Sequence, residues 1–183
     1  LKTRRGDGRA QLNAVLAAEQ LQSGQSEGRD LTARLDFNGQ VTGWIEAFRI
    51  EGALQGRTGA SRIAAGDASA TAAQVTTSEG RVVLAREVQD FSWRFDGPMA
   101  LTAARAAGAG LDGRDVRVES RALTVGGRGS AVEAQGPLAL NAAALAWDDL
   151  SLRGVSGAAN LDMISDQGFR LLVNGGLRSS AAS

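Results

Sequence analysis

Short segments of this chain alternate apolar and polar side chains. Leu31, Ala33, Leu35 and Phe37 stand against Thr32, Arg34 and Asp36, and Leu171 and Val173 stand against Arg170, Leu172 and Asn174. A period of two puts successive side chains on opposite faces of an extended strand, so the pattern predicts half-buried β-strands. A helical reading competes over residues 10–22, where Ala, Leu, Gln and Glu dominate and Leu12, Val15 and Leu16 fall at helical spacing. The same stretch alternates as Leu12, Ala14, Leu16 and Ala18, and is read as a strand. Residues 99–109 are Ala-rich, yet they follow Gly97-Pro98 and alternate as Met99, Leu101 and Ala103, which predicts a strand opened by proline.

A repeat organises these segments. Gly97-Pro98-Met99-Ala100-Leu101 matches Gly136-Pro137-Leu138-Ala139-Leu140, an offset of 39 residues that continues through Leu111 and Leu150, Arg114 and Arg153, and Val116 and Val155. Upstream, Phe37-Asn38-Gly39 echoes Phe95-Asp96-Gly97. Repeated units that cannot bury their faces alone point to a stacked, quasi-one-dimensional architecture. Such a unit holds roughly three strands of about ten residues with tight connections. Turns are expected at Ser23-Gly24, Asn38-Gly39, Glu79-Gly80, Asp112-Gly113, Gly126-Gly127, Gln167-Gly168 and Asn174-Gly175. Residues 56–77, rich in Ala, Ser, Thr and Gly, are expected to form an edge or a mobile stretch. The resulting fold class is all-β, an elongated antiparallel meander making a curved, open groove. Residues 1–183 form one segment, with repeat units near 97–135 and 136–174.

Composition narrows the function. Twenty basic and twenty acidic residues cancel and are scattered, which disfavours a nucleic-acid partner, an acidic tail or a polybasic membrane patch. The chain has no Cys, His or Tyr, so the commonest ligands of zinc, copper and haem and the usual thiol and imidazole catalysts are missing. No cofactor is expected. The chain opens at Leu1 without a secretory leader, and it holds no apolar run of about 18 residues that could span a bilayer. An excised segment of a longer protein is expected.

The motifs carry little chemistry. Gly108-Ala109-Gly110-Leu111-Asp112-Gly113 spells a dinucleotide fingerprint, which requires a helix to follow, but residues 115–125 alternate like a strand. Arg5-Gly6-Asp7 spells an adhesion tripeptide made of three common residues. Gly154-Val155-Ser156-Gly157-Ala158 misses the serine-hydrolase elbow by one position, and no histidine could serve as its base. Asp148-Asp149 point to opposite sides of an extended chain and read as a solvated turn rather than a catalytic pair.

The aromatic residues are better placed. Phe91, Trp93 and Phe95 share one face of a strand, with Ser92, Arg94 and Asp96 on the other. Trp44, Phe48 and Ile50 share one parity after Gly43, and Val41 and Ile45 share the other. Such rings either fill a closed core or line an open apolar surface. The abundance of alanine favours the lined surface over tight packing.

Glycine-separated amphipathic strands, the phrase Gly136-Pro137-Leu138-Ala139-Leu140-Asn141-Ala142-Ala143-Ala144-Leu145 and the run from Leu31 to Phe37 together resemble the AsmA-like superfamily of bacterial envelope proteins, in the style of its YdbH-like and TamB-like members. The resemblance covers most of residues 10–178. It implies a periplasmic section of a repeating β-groove, anchored in the inner membrane through other parts of the full protein and meeting inner- and outer-membrane components. Its apolar inside would carry phospholipid acyl chains without catalytic residues. Carried onto this chain, the lining is expected at Leu35, Phe37, Ile45, Phe91, Trp93, Phe95, Met99, Leu101, Leu138, Leu140, Leu171 and Val173. A β-solenoid or adhesin-type segment is the alternative, and a carboxylate-dependent β-rich hydrolase the third class.

Overall fold

The structure, a computed structural model, describes residues 7–44, 46–87, 90–166 and 169–182. Its regular elements are all strands: β1 (Gly8–Ser23), β2 (Ser26–Trp44), β3 (Ala47–Ala65), β4 (Ala68–Glu87), β5 (Asp90–Gly108), β6 (Leu111–Arg128), β7 (Ala131–Trp147), β8 (Leu150–Ser165), β9 (Phe169–Arg178) and β10 (Ala181–Ala182). Strands β1 to β8 pair antiparallel in sequence order in one open sheet, and β9 and β10 both pair with β8. Arg178 faces Ser156 and Ala181 faces Arg153, so β9 and β10 are two pieces of one ninth strand. The sheet is not closed into a barrel; β1 and the ninth strand are its free edges.

Strands β1 to β8 hold 16 to 20 residues each, which at about 3.3 Å per residue makes them roughly 55–65 Å long. The 39-residue unit is therefore a hairpin of two long strands rather than three short ones. Most glycines expected in turns lie inside strands: Gly39 in β2, Gly80 in β4, Gly113, Gly126 and Gly127 in β6, and Gly175 in β9. Only Ser23-Gly24 sits at a described hairpin turn, with Gly24 at φ 59°; Gln167-Gly168 lies outside the described residues. The reason lies in what crosses these glycines. A Cβ on Gly80 would stand 2.7 Å from Phe95 Cζ, and one on Gly39 2.6 Å from Phe37 Cζ, so each glycine makes room for a ring on its own face of the sheet.

Residues 56–77 form no edge. They belong to the interior strands β3 and β4 and to the turn between them. The segment from 44 to 50 is likewise not one strand. β2 ends at Trp44 and β3 begins at Ala47, and the register sets Phe48 against Gly43 and Ile50 against Val41, so Trp44 faces away from Phe48 and Ile50.

Two irregular rows cross the strands. In the first, the fifth residue of every even-numbered long strand is left-handed: Asp30 (φ 49°), Ala72 (φ 48°), Asp115 (φ 49°) and Gly154 (φ 56°). The ladder skips there, with Ala60 against Ala73 and Arg62 against Thr71 around Ala72, and Ala103 against Val116 and Arg105 against Arg114 around Asp115. Serines on the following strands tie the row. Ser61 donates to the Asp30 carboxylate at 2.6 Å, and Ser180 Oγ donates to the Arg153 carbonyl at 2.9 Å. Alternation slips by one residue at this row, so the face that carries Ala60 and Ala73 continues through Ile63 and Ala70.

The second row explains the prolines. Pro98 and Pro137 do not open strands; they lie within β5 and β7. The register shifts between Thr76 and Arg81 of β4 and between Glu119 and Thr124 of β6, each by one extra residue, leaving bulges beside Gly97-Pro98 and Gly136-Pro137. A proline has no N–H for a regular ladder, and a bulge is where a central strand tolerates one. Thr77 Oγ1 donates to the Pro98 carbonyl at 2.8 Å, and Gly136 (φ 152°) lets β7 approach β6, where a Cβ would stand 2.7 Å from the Ala122 carbonyl oxygen.

One layer leaves little interior. The accessible area is 12694 Å², against about 8,300 Å² for a compact monomer of this mass. Among the described residues the buried apolar set is Phe95, Val116, Leu123, Val155 and five alanines.

Candidate functional site

Cross-strand partners share a face, so the register can be followed from edge to edge. One row runs Leu16, Ala33, Thr58, Val75, Leu101, Val118, Leu140, Gly157, Leu177 through all nine strands. Another runs Ala10, Gly39, Gly52, Val82, Phe95, Val125, Ala134, Met163, Leu171. Neither contains a charge. Outside the two irregular rows, the described residues on this face include no carboxylate and no lysine, and a single cation, Arg86.

This face is hollowed in two places. Side chains from β1 to β5, among them Leu16, Leu31, Ile63, Val75 and Leu101, border one cavity of about 820 Å³. Val118, Leu138, Leu140, Val173 and Leu177 border a second hollow of about 360 Å³ between β6 and β9. Leu101 of the first faces Val118 of the second, so the hollows adjoin and the apolar trough runs across the strands. Alanines at 60, 73 and 103 floor the larger hollow. Where Leu or Phe would fill the space, a methyl group leaves it open.

Eleven of the twelve residues expected on the lining lie on this face by register; Ile45 lies outside the described residues. Leu35 leans over Gly56, with its Cδ2 2.6 Å from where a Cβ there would stand. Phe37 and Phe95 cover Gly39 and Gly80, and Trp93 covers Gly127 while also bordering a hollow of the opposite face. Met99 faces Ser120, Leu171 faces Met163, and Phe91 faces Arg86 at the trough's rim. Leu101 borders the larger hollow, and Leu138, Leu140 and Val173 the smaller. They do not form one compact cluster. Leu16, Leu31, Ile63, Val75, Val118 and Leu177 belong to the same lining and were missed. Leu31 stands in the alternating run that gave Leu35 and Phe37, whereas Ile63 is reached only by counting through the slip at the left-handed row.

The opposite face carries the charges, several of them in ion pairs. Glu51 accepts from both Arg49 and Arg81, and Arg94 pairs with Asp96, which also accepts from Thr124 at 2.7 Å. Arg117 pairs with Glu119, Arg29 with Glu27 and Arg105 with Asp112. Hydrogen bonds from Arg81 and then Arg49 hold the Glu51 carboxyl below its ordinary range, and that from Arg94 does the same for Asp96. Exposed pairs of this kind contribute little stability. They keep this face wetted. A hollow of about 930 Å³ among Arg9, Arg49, Glu51, Glu79, Arg81 and Asp96 has three charges of each sign.

The fingerprint at 108–113 is a hairpin. Ala109 (φ 51°) and Gly110 (φ 79°) form its turn and strand β6 follows, so no helix N-terminus is available for a pyrophosphate. Asp148 (φ 50°) and Asp149 form the turn between β7 and β8. Among the described residues no group of acids could hold a metal ion, and no helix is long and apolar enough to cross a membrane. No family model, curated protein or solved structure matches the chain.

Proposed function

We propose that this chain is a non-enzymatic section of a bacterial envelope bridge, shielding phospholipid acyl chains in its apolar trough as they pass between the inner and outer membranes. The observation that carries the reading is the hollowed face, apolar in its cross-strand rows from one free edge to the other and without a carboxylate among its described residues outside the irregular rows. An acyl chain laid on it leaves water at about 0.8 kcal/mol per buried CH₂, and the polar groups it meets along the row through Leu101 are few, chiefly the hydroxyl of Thr58. The wet opposite face suits passage through the periplasm, with anchoring and contact to either membrane assigned to other parts of a longer protein. Consecutive antiparallel pairing supports this reading over an adhesin-type solenoid, whose coils stack in parallel.

Native mass spectrometry of the purified chain tests it. Phospholipid adducts are expected after expression in the bacterial envelope or after incubation with phospholipid vesicles. A chain that stays free of lipid under both conditions overturns the reading.

A further inference from the structure

We propose that Arg86 is the headgroup contact of the trough, binding the phosphate or an equivalent anionic group of an amphiphile whose chain lies on the apolar face. The inference rests on the acyl-trough reading and narrows its ligand to an anionic amphiphile. Arg86 is the one charged side chain on that face outside the irregular rows, among the described residues. It stands one residue from the end of β4, at the rim of the trough, and is exposed. Its own cross-strand row sets Phe48 on one side and Phe91 on the other. Two residues further in, Leu84 lies between Ile50 and Trp93, and after it Val82 lies between Gly52 and Phe95.

The guanidinium has neither an ion pair nor a side-chain hydrogen bond among the described residues. The nearby acids are directed elsewhere. Glu87 follows it on the opposite face, and Asp90 accepts from Arg128 at 2.6 Å. A planar cation with free donors suits a phosphate oxygen pair, and the flanking rings exclude water from one side of that contact. The apolar positions beneath then receive the chain attached to the phosphate. An anion without a chain gains only the exposed charge contact, which is weak.

Calorimetric titration of the full chain with three probes, the detergents below their micellar concentrations, tests this: dodecyl phosphate, the uncharged dodecyl maltoside, and inorganic phosphate. Both detergents are expected to bind, and inorganic phosphate to show no saturable binding. Arg86→Gln should weaken dodecyl phosphate by about three- to tenfold and leave dodecyl maltoside unchanged, with part of the loss recovered in Arg86→Lys. Arg57→Gln, on the opposite face, should leave both detergents unchanged. If Arg86→Gln binds dodecyl phosphate like the parent while both detergents bind, the headgroup contact is wrong and the trough stands. An equal loss in Arg57→Gln would assign the effect to overall charge and overturn the contact. Inorganic phosphate binding as tightly as dodecyl phosphate would make Arg86 a free-anion site. If neither detergent binds, the acyl-trough reading fails and this inference with it.

Discussion

At the scale of single residues, the sheet depends on positions where an ordinary side chain does not fit or is strained. The left-handed row occupies Asp30, Ala72, Asp115 and Gly154, and only Ala72 lacks both a polar side chain that tolerates such angles and the freedom of glycine. A left-handed L-residue costs about 1–2 kcal/mol. Ala72→Gly is therefore expected to stabilise the chain by up to about 1 kcal/mol in urea unfolding, after the larger entropy of the unfolded glycine is subtracted. In an ordinary strand interior the same change destabilises by roughly 0.5–1 kcal/mol, so the sign of the shift reads the backbone angle. A signal for this row existed in the sequence. Gly28-Arg29-Asp30 and Gly113-Arg114-Asp115 repeat the same three residues at the same place in their strands, and Arg153-Gly154 keeps the pattern.

At the scale of strands, alternation was enough to give the β-class and which apolar residues share a face, because a period of two does not depend on where a strand ends. Strand length was not legible. Glycine followed or preceded by a polar residue reads as a turn, yet Asn38-Gly39 lies well inside β2 and Asp112-Gly113 lies within β6, where rings or aliphatic side chains lie across the missing Cβ atoms. Those contacts come from residues such as Phe37, Val116 and Leu145, and local sequence does not show which side chain will cross which glycine. The Gly-Pro repeat marked the correct spacing, but its cause is a bulge on the neighbouring strand. Leu101 of β5 and Leu140 of β7 stand in one row, both facing Val118 of β6. Leu101→Asp together with Leu140→Asp puts two carboxylates across the middle of the trough. Crosslinking of phospholipid to a photoreactive residue at position 93 should fall several-fold, while the circular dichroism of the sheet stays unchanged. Crosslinking at the parent level in the folded variant would remove these two residues from the lipid path.

At the scale of the whole molecule, every strand from β1 to the ninth lies against its sequence neighbours in one layer, and among the described residues no second layer locks the sheet. The long axis of the trough is thus also the order of the chain. Stability in such an array is close to a sum over neighbouring pairs, as in stacked-repeat proteins. That order has a mechanical consequence. A load applied between the two termini meets the edge strands first and can peel the sheet one hairpin at a time, since removing an edge strand leaves the next pair intact. In optical-trap extension the unfolding should advance in steps rather than in one release. The repeat spacing of 39 residues between Gly97 and Gly136 corresponds to about 130–140 Å of freed chain per hairpin. A single rip that frees the full contour length would mean that the layer is far more cooperative than its topology implies. A ribbon that gives way in stages loses an end strand under strain and keeps the rest of its apolar face in place.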